Sequence, residues 1–212
     1  MTSGYDAETA ARLAAAGDSA GREFARRIEP MAALADQTDA VAETCHAMAV
    51  RFHQGGKLIV FGTGGASTDA QHVAVEFVHP VIVGKRALPA ISLTTDIATV
   101  TGIAEREGID AIFSHQLRYL AAPGDIAIGI CATGRCGSVR AGLATARELG
   151  LLTIALTGRA ATGAPEADHV LVADSDDPRV VKEMHVTMYH LLWELVHVFL
   201  EQPGTLSPGA FA

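Results

Sequence analysis

Few of the usual handles for function are present in this chain. Its 212 residues include three cysteines, one tryptophan and three tyrosines, and Lys and Arg form no cluster. Cys45, Cys131 and Cys136 are odd in number and lack a Cys-x-x-Cys spacing, so the sequence suggests neither a disulfide framework nor a structural zinc site. Small apolar packing is the expected role of Cys131 and Cys136. Aromatic residues are only 5% of the chain, too few for a stacking platform on single strands. A net charge of −8 argues against a nucleic-acid partner bound by phosphate neutralisation. No apolar run reaches about 18 residues, so no membrane span is expected. The N-terminal stretch MTSGYDAETAARLAAAG carries acidic residues and lacks the basic start and apolar core of a secretory signal. The expected location is cytoplasmic.

What is present is a hydrophobic fraction of 49% and a mean hydropathy of +0.25, enough to bury one good core. The chain is organised around Lys57 to His79. Leu58-Ile59-Val60-Phe61 is a short apolar run bounded by Gly55-Gly56 and Gly62, which predicts a buried strand. Gly62-Thr63-Gly64-Gly65 follows as a turn whose backbone can approach a ligand closely. Ser67, Thr68 or Asp69 can cap the next helix, which carries His72, Val75 and Glu76. A strand, a glycine turn and a helix N-terminus make an anion site, because backbone N–H groups and the helix dipole point at one place.

Residues 7–54 have helical spacing, with breaks expected at Gly17-Asp18 and at Pro30 and a cap at Thr38 or Asp39. Beyond Lys57, strands are expected at 57–61, 89–93, 125–130, 151–156 and 169–172, and helices at 67–78, 111–121, 137–149 and 179–201. Most of the strands are continuous apolar runs, as when helices cover both faces. The expected fold class is α/β: a doubly wound, mostly parallel five-stranded sheet of flavodoxin-like type with N-terminal helices. Three parts follow: a helical segment 1–56 that packs on the main domain and on neighbouring subunits, a domain 57–202, and a tail 203–212. Ligands of such sheets bind at the carboxyl ends of strands, near the switch point. Asp125 to Ile130 runs into Cys131-Ala132-Thr133-Gly134-Arg135-Cys136-Gly137-Ser138 and another helix, so a second glycine-bearing loop falls at a strand end. A dinucleotide cofactor is not indicated. Ser67 ends Gly62-Thr63-Gly64-Gly65-Ala66-Ser67 without the third glycine, and Asp96 lies well beyond the place of the ribose-binding acid.

The order GTGGASTDAQHVAVEF, LTTD, ICATGRCGSV and a last helix with His190 resembles the sugar isomerase (SIS) domain, and within it the phosphoheptose isomerases. The likeness spans roughly residues 40 to 200. It implies an isomerase that interconverts sedoheptulose 7-phosphate and a heptose 7-phosphate, a small phosphorylated sugar as substrate, and a homotetramer with sites between subunits. It implies that Glu76 and His190 transfer protons. By the same resemblance His72, Glu76 and His190 are the candidate metal ligands, and Gly64, Gly65, Ser67, Asp96, Thr133, Arg135, Ser138 and Lys182 are the positions expected to meet the substrate. His72 and Glu76 are four apart, so a helix puts them on one face. Aldose–ketose exchange needs such groups to remove a proton beside a carbonyl and return it to the neighbouring carbon through an enediol. The residues alone also allow His72–Glu76 as a surface pair, His190 as a core histidine and Lys182 as a solvated cation.

The departures from the family's pattern bear on substrate and metal. Thr63 and Ala66 replace an Asn and a Ser in the first loop. Cys131, Ala132, Arg135 and Cys136 replace most hydroxyl donors of the second, where Arg135 can grip phosphate in their place. Lys182 stands where zinc-binding members have a glutamine ligand, and a protonated Lys has no lone pair to give. The residues therefore assign no cofactor, and zinc is the one the resemblance brings in. The alternative function is a non-catalytic phosphosugar-binding sensor or tetrameric adaptor that has lost the phosphate-gripping serines.

Overall fold

The computed structural model describes residues 5–159 and 166–206. Continuous apolar runs become five strands: β1 (Leu58–Gly62), β2 (Ala90–Ser92), β3 (Ile126–Cys131), β4 (Leu152–Gly158) and β5 (His169–Ala173). Every residue of β1, β3 and β4 is buried, while the edge strands β2 and β5 are partly open. The twofold alternation of a strand sends Leu58 and Val60 into one core and Ile59 and Phe61 into the other. All four strand pairings are parallel, in the order β2-β1-β3-β4-β5. β1 pairs with β3 along its whole length, from Leu58 opposite Ile126 to Gly62 opposite Ile130.

Three helices precede the sheet, α1 (Ala7–Ala25), α2 (Ile28–Ala35) and α3 (Thr38–His53). Parallel neighbours require crossovers: α4 (Gly65–Val78) follows β1, α5 (Ile97–Glu107) with α6 (Ile112–Leu120) follows β2, and α7 (Gly137–Glu148) follows β3, while 160–165, between β4 and β5, lie outside the described residues; α8 (Pro178–Leu200) closes the fold. On one face of the sheet Met48 and Phe52 of α3, Phe77 of α4 and Met188 and Leu192 of α8 share a core. On the other face Ile103, Phe113, Leu117 and Leu143 of α5, α6 and α7 form the second. Both faces are covered, which is why the strand segments are mostly apolar, with Ser92 of β2 and Thr153 and Thr157 of β4 as buried polar exceptions.

Four local expectations change. The α1 helix runs through Gly17-Asp18, held by Asp6, whose carboxylate accepts from the Thr9 backbone N–H at 2.7 Å. A glycine inside a helix costs only about 1 kcal/mol relative to alanine, and the neighbouring alanines sustain the turn. Pro30 sits in the third position of α2 and is buried, so its missing N–H is one that no helix can satisfy internally. The α5 helix was absent from the sequence-based expectation because Val100, Thr101 and Gly102 form helix poorly; Asp96 caps it and packing against the second core completes it. Finally, Pro203–Leu206 is a short 3₁₀ turn whose Leu206 is buried in the first core, so the chain at 203–206 is not a loose tail; positions 207–212 lie outside the described residues.

Candidate active site

β1 has β2 on one side and β3 on the other, so the crossovers leaving β1 and β3 depart to opposite faces and their loops part at a crevice. The first loop depends on glycine at two places. A Cβ on Gly62 would lie 2.8 Å from the Ala66 Cβ and 2.9 Å from the Ile130 carbonyl oxygen, and Gly64 has φ +58°, a left-handed conformation. The α4 helix starts at Gly65, earlier than expected, and neither Ser67 nor Thr68 nor Asp69 caps it. Ser67 and Thr68 instead donate their hydroxyls to the Gly64 and Gly65 carbonyls, both at 2.7 Å.

The second loop corrects the cysteine reading: Cys131 and Cys136 are joined by a disulfide, with Cα atoms 6.2 Å apart. The absence of a Cys-x-x-Cys spacing hid it. The usable signal was two cysteines on either side of Gly134, at the two ends of one strand-to-helix loop. Cys45, the third cysteine, is a buried free thiol whose pKa burial pushes up to about 12.

Between the two loops and the start of α8 lies a cavity of about 280 Å³. Thr63, Gly65, Ala66 and Asp69 form one wall, Cys131 to Thr133 and Cys136 a second, and Pro178, Lys182 and His185 the third. Lys182 Nζ donates to both Asp69 carboxylate oxygens at 2.7 and 2.8 Å, to the Gly65 carbonyl at 2.9 Å and to Thr68 Oγ1 at 3.3 Å. The carboxylate is nearly buried, with a side-chain exposure of 7%, so Lys182 neutralises a charge that would repel an anion in the cavity. His185 Nε2–H donates to the Thr157 carbonyl at 3.0 Å, and burial lowers the His185 pKa.

One to two turns further along the same two helices lies a second group. His72 Nε2–H donates to Glu76 Oε1 at 3.2 Å, and the Tyr189 hydroxyl reaches His72 Nδ1 at 3.4 Å. His190 Nδ1–H donates to the Val186 carbonyl at 2.8 Å, which leaves its Nε2 with a lone pair. The His72 and His190 rings meet edge to face with centroids 5.2 Å apart. Trp193 Nε1–H donates to the Glu76 carbonyl at 2.9 Å and locks α8 to α4 at this level. Burial, with the Asp69 and Glu76 charges adding to it, raises the Tyr189 pKa to about 12, so the phenol stays a proton donor to His72. Tyr189 and His185 were not singled out from sequence for this site; their signal was a position seven and three residues after Lys182, on the same face of α8.

One ligand atom each from His72, Glu76 and His190 lie within 4.8 Å of one another. Those three donors fit a divalent cation with open coordination positions, the arrangement of a catalytic rather than a structural zinc. Lys182 does not belong to this set, since its ammonium is engaged by Asp69 and Gly65.

The remaining predicted positions divide. Gly65, Thr133 and Lys182 line the cavity. Gly64 and Ser67 belong to the turn beside it, Arg135 is exposed on the second loop, and Ser138 is buried in the first turn of α7. Asp96 is elsewhere, lining a cavity of about 470 Å³ with Ser92, Gln116 and Tyr119. Its carboxylate accepts from Thr99 Oγ1 at 2.6 Å and from the Ala98 and Thr99 backbone N–H groups, bonds that lower its pKa. Thr94, in the same loop, donates to the Ser67 carbonyl at 3.2 Å and so ties the loop to α4.

A family model described as the SIS domain matches residues 23–158. The phosphoheptose isomerase of Solidesulfovibrio magneticus is 39% identical over 175 residues, covering 82% of this chain and 84% of that protein. That of Aquifex aeolicus is 38% identical over 157 residues, covering 74% and 82%. Among solved structures, a phosphoheptose isomerase from Francisella tularensis superposes with a TM-score of 0.81 at 27% identity, covering 86% of this chain and 98% of that one.

Proposed function

The chain belongs to the SIS domain family, within which it groups with the phosphoheptose isomerases, and from that premise we propose that it interconverts sedoheptulose 7-phosphate and a heptose 7-phosphate. The observation that carries the mechanism is the placing of two groups on one helix pair. The cavity walled by Asp69 and Lys182 lies seven residues along α4 from Glu76, about 10 Å at 1.5 Å per residue. A sugar phosphate lying along the seam puts its phosphate between the glycine loops and its carbonyl end at His72, Glu76 and His190.

Glu76 takes the proton from the carbon beside the carbonyl, and His190, through its Nε2 lone pair, moves the proton between the two oxygens of the enediol. His72, held by Tyr189, orients the Glu76 carboxylate. At the other end, backbone N–H groups of both loops, with Gly64, Gly65, Ser67, Thr133, Arg135 and Ser138, hold the phosphate, while Lys182 keeps the Asp69 charge neutral. Asp96 caps α5 and so orders the loop that Thr94 ties to α4. A divalent ion at His72, Glu76 and His190 would polarise the carbonyl oxygen next to the carbon that loses its proton.

The working form in this proposal is a cytoplasmic homotetramer. No residue of α1 is buried, and Leu13, Phe24, Ile28 and Met31 of the leading helices are exposed, a surface suited to neighbouring copies. No helix among the described residues is long and apolar enough to cross a membrane.

Exchange of solvent deuterium into sedoheptulose 7-phosphate tests the proposal. Glu76→Gln keeps the shape but not the base, and should slow exchange by about a hundredfold to ten-thousandfold while ligand-induced thermal stabilisation persists. Unaltered protein that binds the sugar phosphate and exchanges no deuterium would be an adaptor or sensor instead.

A further inference from the structure

We propose that the Cys131–Cys136 disulfide is a reversible redox switch on anion binding, holding the β3–α7 loop competent when oxidised and weakening it when reduced by a dithiol. The inference rests on the reading of this loop as the phosphate holder and adds a regulation to it.

Position is the first argument. Cys131 is the last residue of β3 and Cys136 the residue that precedes α7, so the bond fastens both ends of the loop. Both residues line the cavity. A chain that buries two full cores does not need a cross-link closing so short a loop, since loop-closure stabilisation grows with loop length. Disulfides in reducing compartments are mostly those that take part in exchange.

The two sulfurs are unlike, in a way that suits exchange. Cys131 is buried, at 3% exposure, whereas Cys136 is partly open. The Cys136 backbone N–H donates to Cys131 Sγ at 3.3 Å, and Thr133 Oγ1 lies 3.6 Å from the same sulfur. An incoming thiolate therefore meets Cys136 Sγ first, and the sulfur that must leave is the one with donors waiting for its charge. The step balances: one thiolate of the dithiol bonds to Cys136 Sγ and expels the Cys131 thiolate, which takes up a proton. The second thiol, as its thiolate, then attacks the mixed disulfide and releases Cys136. The dithiol ends as a cyclic disulfide, oxidised by two electrons, and the protein holds two thiols. Cys45, buried and with its thiol pKa raised, stays out of the exchange.

The consequence for binding is electrostatic. Oxidised, the two sulfurs carry no charge and the loop is pinned with its turn intact, the Gly134 N–H donating to the Cys131 carbonyl at 3.1 Å. Reduced, Cys136 stands at the N-terminus of α7, where the helix dipole favours the thiolate. A negative sulfur on the cavity wall opposes a phosphate dianion, and the freed loop must be ordered again on binding.

The test uses the full chain, oxidised with glutathione disulfide or reduced with dithiothreitol, with thiols counted by alkylation after denaturation and mass spectrometry. Inorganic phosphate and sedoheptulose 7-phosphate are then titrated by calorimetry. The count should rise from one thiol to three, affinity for both ligands should fall about tenfold, as for one added like charge near the site, and reoxidation should restore it. Cys136→Ser and Cys131→Ser should each bind identically with and without reductant. Equal affinities in the two states, three free thiols after oxidation, or an oxidised protein that binds no phosphate would each overturn the switch. Redox-dependent phosphate binding without any deuterium exchange into the sugar would sustain the switch and remove the isomerase reading.

Discussion

Replacing Lys182 by Met should destabilise the protein more than replacing its partner Asp69 by Asn, and the difference follows from what each change leaves behind. Lys182→Met keeps the length of the side chain but leaves the Asp69 carboxylate, 7% exposed, without the cation that donates to both of its oxygens. Removing one partner of a fully buried pair costs roughly 3–5 kcal/mol. Here the lysine end is 43% exposed, so water can reach the stranded carboxylate, and the figure discounts to about 2 kcal/mol. Asp69→Asn instead leaves the ammonium partly solvated and still bonded to the Gly65 carbonyl and Thr68 Oγ1, a loss of about 1 kcal/mol. For a chain of this length 1 kcal/mol moves Tm by about 2–4 °C, so the variants should melt about 4–8 °C and about 2–4 °C below the parent. Calorimetry at one fixed protein concentration reads both, and the double variant gives the coupling. If Lys182→Met melts with the parent, or Asp69→Asn is the more damaging change, the ion pair does not join α4 to α8 as described.

Three further outcomes follow from the same geometry. Elemental analysis should find less than one zinc per chain in the unaltered protein, that occupancy should be lost on His72→Ala, and chelation should leave the protein folded, since its two apolar cores form without metal ligands. Because burial depresses the His185 pKa below its ordinary 6.5, the unfolded chain binds the proton that the folded one refuses. Stability should therefore be lost as pH falls through and below about 6.5, and urea midpoints for His185→Gln should show a shallower loss. Light scattering at micromolar concentration should give the mass of four chains, and removal of residues 1–25, which bury no α1 side chain against their own domain, should lower it.

The sheet was legible because most of its strands are continuous apolar runs, the pattern that cover by helices on both faces produces. β1, β3 and β4 fall within two residues of the expected ranges at each end. Helix α5 was not legible, because β-branched residues and Gly102 weaken its local signal and its stability comes from Ile103 meeting the second core. The His72–Glu76 face could be read from a spacing of four, whereas His190, 114 residues beyond Glu76, could be attached to it only through family likeness. The partner of Lys182 was hidden for the same reason: Asp69 is 113 residues away, and nothing local marks the pair. The disulfide was missed because its spacing fits no familiar motif; what joins the cysteines is the return of the chain around one turn.

The indole that fastens α8 to α4 belongs to the protein's sole tryptophan. Trp193 is 5% exposed, and its N–H is spent on the backbone carbonyl of Glu76. All tryptophan emission from a subunit therefore originates one hydrogen bond from the residue assigned as base. Slippage of the two helices past each other breaks that bond and lets water to the ring, shifting the emission to the red. The fold thus carries its own optical gauge of the seam on which substrate would lie, and movement of α8 against α4 can be followed in unlabelled protein.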